Sequence, residues 1–328
     1  MRMIHSAIRK YSKYFPDRST YPIIWREKER LGDDVMEAFV CILKTKGCFW
    51  DRRGGCTMCG YNKKVMSDLP GLDAQFNVIS REYHGEKIVK IYTSGSFFDP
   101  DEIPVETSKK VLTHFRPAKK IVVETRPEFV SEARIADISR VVPQLEVAFG
   151  LESSSEETLS MCINKGMKVE DYVRGAEIVR SNSLTLRTYI LLKPPFLSEW
   201  RGVCDALESI RFASKYSDII SLNPVTVQSG TLVEHLYRRK EYRPPWLWSV
   251  EYVLKGYTGK DLICSTTGFG SPTGPHNCGR CSDAFRPLIE RFNLTGEYNG
   301  EIRCDCRRTW ERELAEGRLL GGLPISSF

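Results

Sequence analysis

A chain of 328 residues, 41% hydrophobic and 27% charged, is long enough to bury a large core and too apolar to be disordered. Its basic start, MRMIHSAIRKYSKYFPDRS, has no sustained apolar run, so neither a signal peptide nor a membrane span is expected. Eleven cysteines, an odd number grouped at short spacings without an export signal, argue against a disulfide framework and for metal ligation in a reducing cytoplasm.

Residues 1–34 read as a basic N-terminal extension. Arg9, Lys10, Lys13, Arg18, Arg26, Lys28 and Arg30 crowd there, interleaved with Tyr11, Tyr14, Tyr21 and Trp25. Further basic groups stand at Arg238, Arg239, Lys240 and Arg243, beside Tyr242, Trp246 and Trp248, and at Arg303, Arg307, Arg308 and Arg312. With a net charge of +6, such patches suit a phosphate backbone, although solvated faces of this kind are also common without any partner.

The apolar run 35–43 predicts a strand. Directly after it come Cys48, Cys56 and Cys59, spaced C-x7-C-x2-C on a loop. Iron-sulfur cubanes are normally held by four cysteines, so three leave one iron open to a small molecule. Radical chemistry started from S-adenosylmethionine (SAM) needs such an iron, to chelate the methionine end and deliver one electron. The competing reading is a zinc knuckle, since Cys-x-x-Cys is a common half-site, with Cys41 as the nearest fourth ligand.

Five more Val/Ile-rich runs follow, at 87–93, 119–124, 145–151, 185–192 and 218–227. Between them lie amphipathic stretches at 72–84, 102–115, 128–142, 155–162 with 169–180, and 199–216. In 169–180, Val173, Ala176 and Val179 recur every three residues, as one face of a helix would. Strand-helix alternation with near-continuous apolar strands predicts a parallel sheet with right-handed crossovers. Six such units make an α/β fold, a partial (βα)6 TIM-like barrel over residues 35–231, with its chemistry at the C-terminal strand ends. Those ends carry Ser94-Gly95-Ser96, Glu124-Thr125-Arg126-Pro127 and Gly150-Leu151-Glu152-Ser153. Glycine beside small hydroxyls lets backbone approach a charged ligand, and a strand-end carboxylate can accept hydrogen bonds from ribose.

Residues 232–328 form a C-terminal region with a second cysteine set, Cys278 and Cys281 followed, beyond an expected helix, by Cys304 and Cys306. Four thiolates satisfy a closed tetrahedral site, so structural zinc is the leading reading, with an auxiliary iron-sulfur cluster and free thiols as the alternatives. His276 reads as a loop residue.

The Glu-Thr-Arg-Pro and Phe-Gly-Leu-Glu-Ser strand ends, Asn164-Lys165-Gly166 and residues 223–231 together resemble the radical SAM superfamily. Within it they are similar to the subgroup of oxygen-independent coproporphyrinogen oxidase and the elongator catalytic subunit. The resemblance implies that Cys48, Cys56 and Cys59 hold a 4Fe-4S cluster as the catalytic cysteines and that Ser94 and Gly95 meet the SAM amino group. It also implies that Glu124 and Glu152 bind the ribose and that Lys165 faces the SAM carboxylate. Met58 stands where an aromatic residue often covers the adenine. Over essentially the whole chain, the wide first loop, residues 274–281 and residues 304–310 are similar to the radical SAM subunits of archaeosine synthases, the RaSEA family. That similarity implies tRNA as substrate, an external electron donor and, as partner, the lysine-transferring archaeosine synthase ArcS. The implied reaction is a lyase step that cleaves the lysine carbon-nitrogen bond of a lysine-modified deazaguanine base and leaves the formamidine of archaeosine. Two readings stay open beside it: another radical SAM reaction, on a porphyrin or as thiolation of a base, and a noncatalytic RNA-binding protein with zinc at both cysteine groups.

Overall fold

The computed structural model describes residues 2–66, 69–259 and 262–319. The chain opens with helix α1 (Arg2–Tyr11) and a two-residue strand β1 (Phe15–Pro16), then enters a hairpin of β2 (Ile23–Leu31) and β3 (Asp34–Ile42). The hairpin turns on Gly32-Asp33, where Gly32 takes a φ of 62° that a two-residue turn needs. Next come α2 (Phe49–Arg53), β4 (Lys64–Val65) and α3 (Leu72–Glu82). The repeating part follows as β5 (Ile88–Tyr92), α4 (Val105–His114), β6 (Lys120–Thr125), α5 (Glu132–Val141), β7 (Leu145–Glu152), α6 (Val169–Ser181), β8 (Thr185–Leu192), α7 (Glu199–Ala213) and β9 (Ile219–Pro224). Helices α8 (Leu232–Arg238) and α9 (Leu247–Lys255), strand β10 (Leu262–Cys264), then α10 (Phe285–Thr295) and α11 (Cys306–Leu319) complete the described chain.

The six expected strands are present and parallel, in the order β3-β5-β6-β7-β8-β9. The sheet extends beyond both expected divisions of the chain, antiparallel through β2 at one edge and parallel through β10 at the other. The expected helical stretch 155–162 is a π-helical turn over Thr158–Ile163, which ends on Asn164 in the left-handed region.

The strands alternate sharply between two faces. Outward positions such as Val89, Ile91, Ile121, Val123, Val147, Leu186 and Ile190 are buried under the helices. In α6 the covering face is Tyr172, Gly175, Ala176 and Val179, with Val173 half-buried at its margin. Inward positions include the charged Lys90, Lys120, Glu146 and Arg187, joined from β2 by Glu27 and Glu29, beside the apolar Ala38, Val40 and Ile88. Arg187 on β8 donates to Glu29 on β2 at 2.7 Å, although four strands lie between them, so the sheet is curled into a half-barrel. Its floor is an ion network. Lys90 pairs with Glu27 at 2.7 Å and also with Glu29, Lys120 reaches Glu29 at 3.0 Å and Glu146 at 3.3 Å, and Arg187 holds Glu146 at 2.5 Å. Three cations thus face three carboxylates, which is how buried charges become tolerable. Burial lowers Lys90 to about 8, with Arg187 adding to the effect. Burial alone would raise Glu146, but Arg187 and Lys120 more than offset it and hold the carboxyl low.

Among the described residues no helix is long and apolar enough to cross a membrane.

Candidate active site at the strand ends

The cysteine loop leaves β3 at the C-terminal rim of the half-barrel and is tied down along its whole length. Thr45 donates its hydroxyl to Glu102 Oε1 at 2.5 Å, and Gly47 N–H donates back to Thr45 Oγ1 at 3.1 Å. Cys48 immediately precedes α2, so the extra residues that widen the spacing form a short helix. That helix is pinned by Trp50, whose indole N–H donates to the carbonyl of Asn164 at 2.7 Å, while the Asn164 amide donates to the Gly55 carbonyl at 2.7 Å. Thr57 adds a backbone bond to Ile163 at 2.9 Å and a hydroxyl bond to Cys162 at 2.8 Å. Past Cys59, Gly60 N–H donates to Gln228 at 2.6 Å and the Asn62 amide to the Ser94 carbonyl at 3.0 Å.

Cys48, Cys56 and Cys59 are half-buried free thiols that face one common space, close enough that Cys56 feels the charge of Cys48 and Cys59 feels those of Cys56 and Cys48. Burial pushes Cys56 up to about 11, against the pull of Lys165 and Arg126, and Cys59 up to about 12. Their sulfurs do not all close to within 4.8 Å of one another, a spacing that among the described residues only the C-terminal four reach. Cys41 cannot complete a knuckle: it is fully buried on the outward face, packed with the helices.

The expected cofactor contacts gather around these thiols. Gly95 lies against Cys48, and a Cβ there would stand 2.8 Å from its backbone N and Cα, so only glycine permits the approach. Ser96 N–H donates to Glu102 Oε2 at 2.6 Å and Ser96 Oγ accepts from Arg126 N–H at 3.1 Å, so the Ser94-Gly95-Ser96 turn is fixed within its own loop and to the end of β6. At the end of β7 the register shifts between Gly150 and Glu152, and Glu152 takes a φ of 70°, strain of a kind that clusters at functional sites. Lys165 Nζ donates to Glu152 Oε1 at 2.8 Å, and Gly150 leaves the room, since a Cβ there would meet both groups. Burial works against the Lys165 charge, but Glu152 and Cys56 hold its pKa above the ordinary value. Glu124 points into the barrel, where burial raises it to about 7 while the Tyr189 hydroxyl and Arg187 oppose the rise.

Met58, like Cys56, is partly buried against the apolar cluster of Ile4, Ile8, Leu159 and Val225. The aromatic ring at the mouth is Tyr61, 62% exposed, with a hydrogen bond to Gln228 and within electrostatic reach of Glu124, Glu152 and Cys59. Arg126 is a further member, buried, donating to the Lys165 carbonyl at 3.0 Å and to Glu128 at 2.6 Å, with its guanidinium over Phe49. Glu102, Trp50, Gln228 and Tyr61 carried no assigned role in the sequence reading, because their partners are supplied by distant segments. Gln228 alone had a signal, its place in the 223–231 motif.

Beside the loop, β1 pairs with β4 and Lys63 is bonded to Asp51 at 2.6 Å. This strap exposes Tyr14, Phe15 and Val65 with the basic Lys13, Arg18 and Lys64, and a shallow groove runs along Tyr14 to Arg18 and Val65. By contrast Tyr242, Trp246 and Trp248 are buried and do not form an aromatic face. The second cysteine group does assemble: the ligand atoms of Cys278, Cys281, Cys304 and Cys306 all lie within 4.8 Å of one another.

No family model matches the chain. It is 36% identical over 335 residues to archaeosine synthase subunit beta of Methanosarcina acetivorans, covering 97% of each chain. It is 35% identical over 316 residues to archaeosine synthase subunit beta of Thermococcus kodakarensis, covering 90% of this chain and 97% of the relative. Among solved structures, the archaeal Methanocaldococcus infernus Elp3 with an N-terminal deletion superposes with a TM-score of 0.49 at 15% identity, over 78% of this chain and 63% of that one.

Proposed function

Because the chain belongs to the archaeosine synthase subunit beta family, we propose that it is a radical SAM lyase of archaeosine formation in tRNA. In this reading it cleaves the lysine carbon-nitrogen bond of a lysine-modified deazaguanine base and leaves the formamidine. The observation that carries the proposal is the convergence of Cys48, Cys56 and Cys59 at one strand end beside Glu124, Glu152 and Lys165. Three cysteine ligands fit a 4Fe-4S cluster with one open iron. When bound, that cluster and SAM supply one-electron reduction and hydrogen-atom abstraction.

The chain's own groups supply position and charge. Lys165 and Arg126 pull against the burial penalty at Cys56, which favours its thiolate form. Lys165 is matched to the SAM carboxylate, Glu152 and Glu124 to the ribose hydroxyls, the Ser94-Gly95 backbone to the amino group, and Tyr61 offers an aromatic face where Met58 offers none. The strap of Tyr14, Phe15, Arg18 and Lys64 next to the loop suits an unpaired RNA segment, with bases on the rings and phosphates on the cations. ArcS is the partner this reading requires to load lysine, an external donor supplies the electron, and the cytoplasm is the compartment that the reading implies.

The deciding experiment is anaerobic incubation of the protein with SAM, a reductant and lysine-modified tRNA, followed by mass analysis of the nucleosides. Conversion of the adduct to archaeosine with release of deoxyadenosine is expected. SAM cleavage that leaves the adduct intact, with the reductant and partner shown to be active, would defeat the substrate assignment.

Glu124 makes the cofactor step sensitive to pH. Its carboxyl titrates near 7 in the protein, and a charged acceptor makes the stronger bond to ribose. Affinity for SAM should therefore rise with pH and level off above 7. If only the ionised form binds, SAM binds about tenfold more weakly at pH 6 than at pH 8. Anaerobic calorimetry on the protein and on Glu124→Gln checks this, the variant giving a flat profile; an equally flat profile in the unaltered protein would remove Glu124 from the SAM contacts.

A further inference from the structure

Sequence spacing leaves three states open for the second cysteine group: one ion, an auxiliary cluster or free thiols. Their geometry separates these states. Cys278 Sγ lies 3.7 Å from Cys281 Sγ and 3.4 Å from Cys304 Sγ, and Cys281 Sγ lies 3.5 Å from Cys306 Sγ. A single zinc ion with bonds of about 2.3 Å puts its four sulfurs at the corners of a tetrahedron with edges of ~3.8 Å. A disulfide would close a pair to about 2.0 Å, and none forms among these thiols. A cubane would hold the sulfurs farther apart, because each binds a different iron.

A second observation is independent of the spacing. Two polar N–H groups point at the sulfurs: the Trp248 indole lies 3.3 Å from Cys306 Sγ and the Asn277 amide 3.6 Å from Cys281 Sγ. Both are buried, and donors aimed at sulfur are what a thiolate, not a thiol, requires. Asn277 is itself fixed, its Oδ1 accepting from the backbone N–H of Leu247 at 2.9 Å and of Trp248 at 3.3 Å.

These contacts continue to the barrel. Ser249 donates to Glu199 at 2.5 Å and accepts from the Trp310 indole of α11 at 2.8 Å. Glu199 opens α7, accepts from Trp246 N–H at 2.9 Å and pairs with Lys193 at 2.6 Å, at the end of β8 where Lys193 has a φ of 56°. Helix α11 starts on Cys306 and runs along α7, with Arg318 stacked on Trp200 at 3.8 Å.

We infer that Cys278, Cys281, Cys304 and Cys306 hold one zinc ion in a closed tetrathiolate site that fastens α10 and α11 to α7 and so braces the β8 strand end. The site keeps no position for substrate, and its role is structural. It stands apart from the radical reading of the first loop.

The test uses the full chain with Cys48, Cys56 and Cys59 all changed to alanine, purified anaerobically, so that iron at the first loop does not enter the count. Elemental analysis is expected to give about one zinc per chain and no iron. In a second variant, Cys306→Ser in the otherwise unaltered chain, zinc should fall to about a tenth of an equivalent or less with a lower melting temperature, while iron at the first loop persists. Iron in the triple variant, as a single ion or a cluster, would overturn the inference, and so would a folded chain with four unmetallated thiols. Absence of iron from the unaltered protein would instead count against the radical reading and leave the zinc site standing.

Discussion

Alanine at Cys48, Cys56 or Cys59 is expected to abolish SAM cleavage, slowing it by about a thousandfold or more, which corresponds to ~4 kcal/mol in the barrier. Each substitution leaves a cluster with too few protein ligands. The fold should survive, because the three thiols are half-buried on a rim loop that is held by Trp50, Asn164, Thr57 and Gln228 instead of by the cysteines. Stability should change by no more than about 1 kcal/mol in the absence of iron. Cys41→Ala is the matched control: it is fully buried among the helices and should lower stability without removing iron. Iron content, deoxyadenosine release and thermal unfolding, measured on all four variants, read these out. Retention of iron and turnover in any rim variant would remove that cysteine from the site.

Replacing Arg187 with methionine should be the most damaging single change to stability. Arg187 joins Glu146 at 2.5 Å and Glu29 at 2.7 Å across the barrel floor, and its loss leaves two buried carboxylates sharing Lys120 and Lys90. Breaking a buried pair from one side costs about 3–5 kcal/mol. In a chain of this size that lowers Tm by roughly 4–7 °C. Glu146→Gln on the same background should recover part of the loss, since the two groups form one network and their effects do not add. Additive losses in the double variant would show that Glu146 and Arg187 do not act together.

The alternation that builds this floor is present in the sequence, with Lys90 between Val89 and Ile91, Glu146 between Leu145 and Val147, and Lys120 and Arg187 beside Ile121 and Leu186. Each charge is one residue in a short run, so along the sequence the strands look near-continuous and apolar. Only the curl of the sheet, which brings β2 opposite β8, shows that the charges neutralise one another. The two edge strands escaped for related reasons. β2 is highly charged along Arg26-Glu27-Lys28-Glu29-Arg30 and reads as solvated, yet two of its carboxylates point into the barrel. β10 is three residues long and has no period to detect.

Local sequence determined whatever depends on spacing along the chain: six parallel strands, the helices between them, the cysteine loop after the first strand, and two Cys pairs close enough to share an ion. Periodicity and ligand spacing are near-neighbour properties, so they survive without a fold. Tertiary structure decided the rest, because it rests on groups far apart in sequence meeting in space. It placed Trp50 on Asn164 and Gln228 on Gly60, set Met58 against the apolar cluster and left Tyr61 at the mouth. It also drew the four C-terminal sulfurs to within 4.8 Å of one another, a convergence that residue spacing cannot encode.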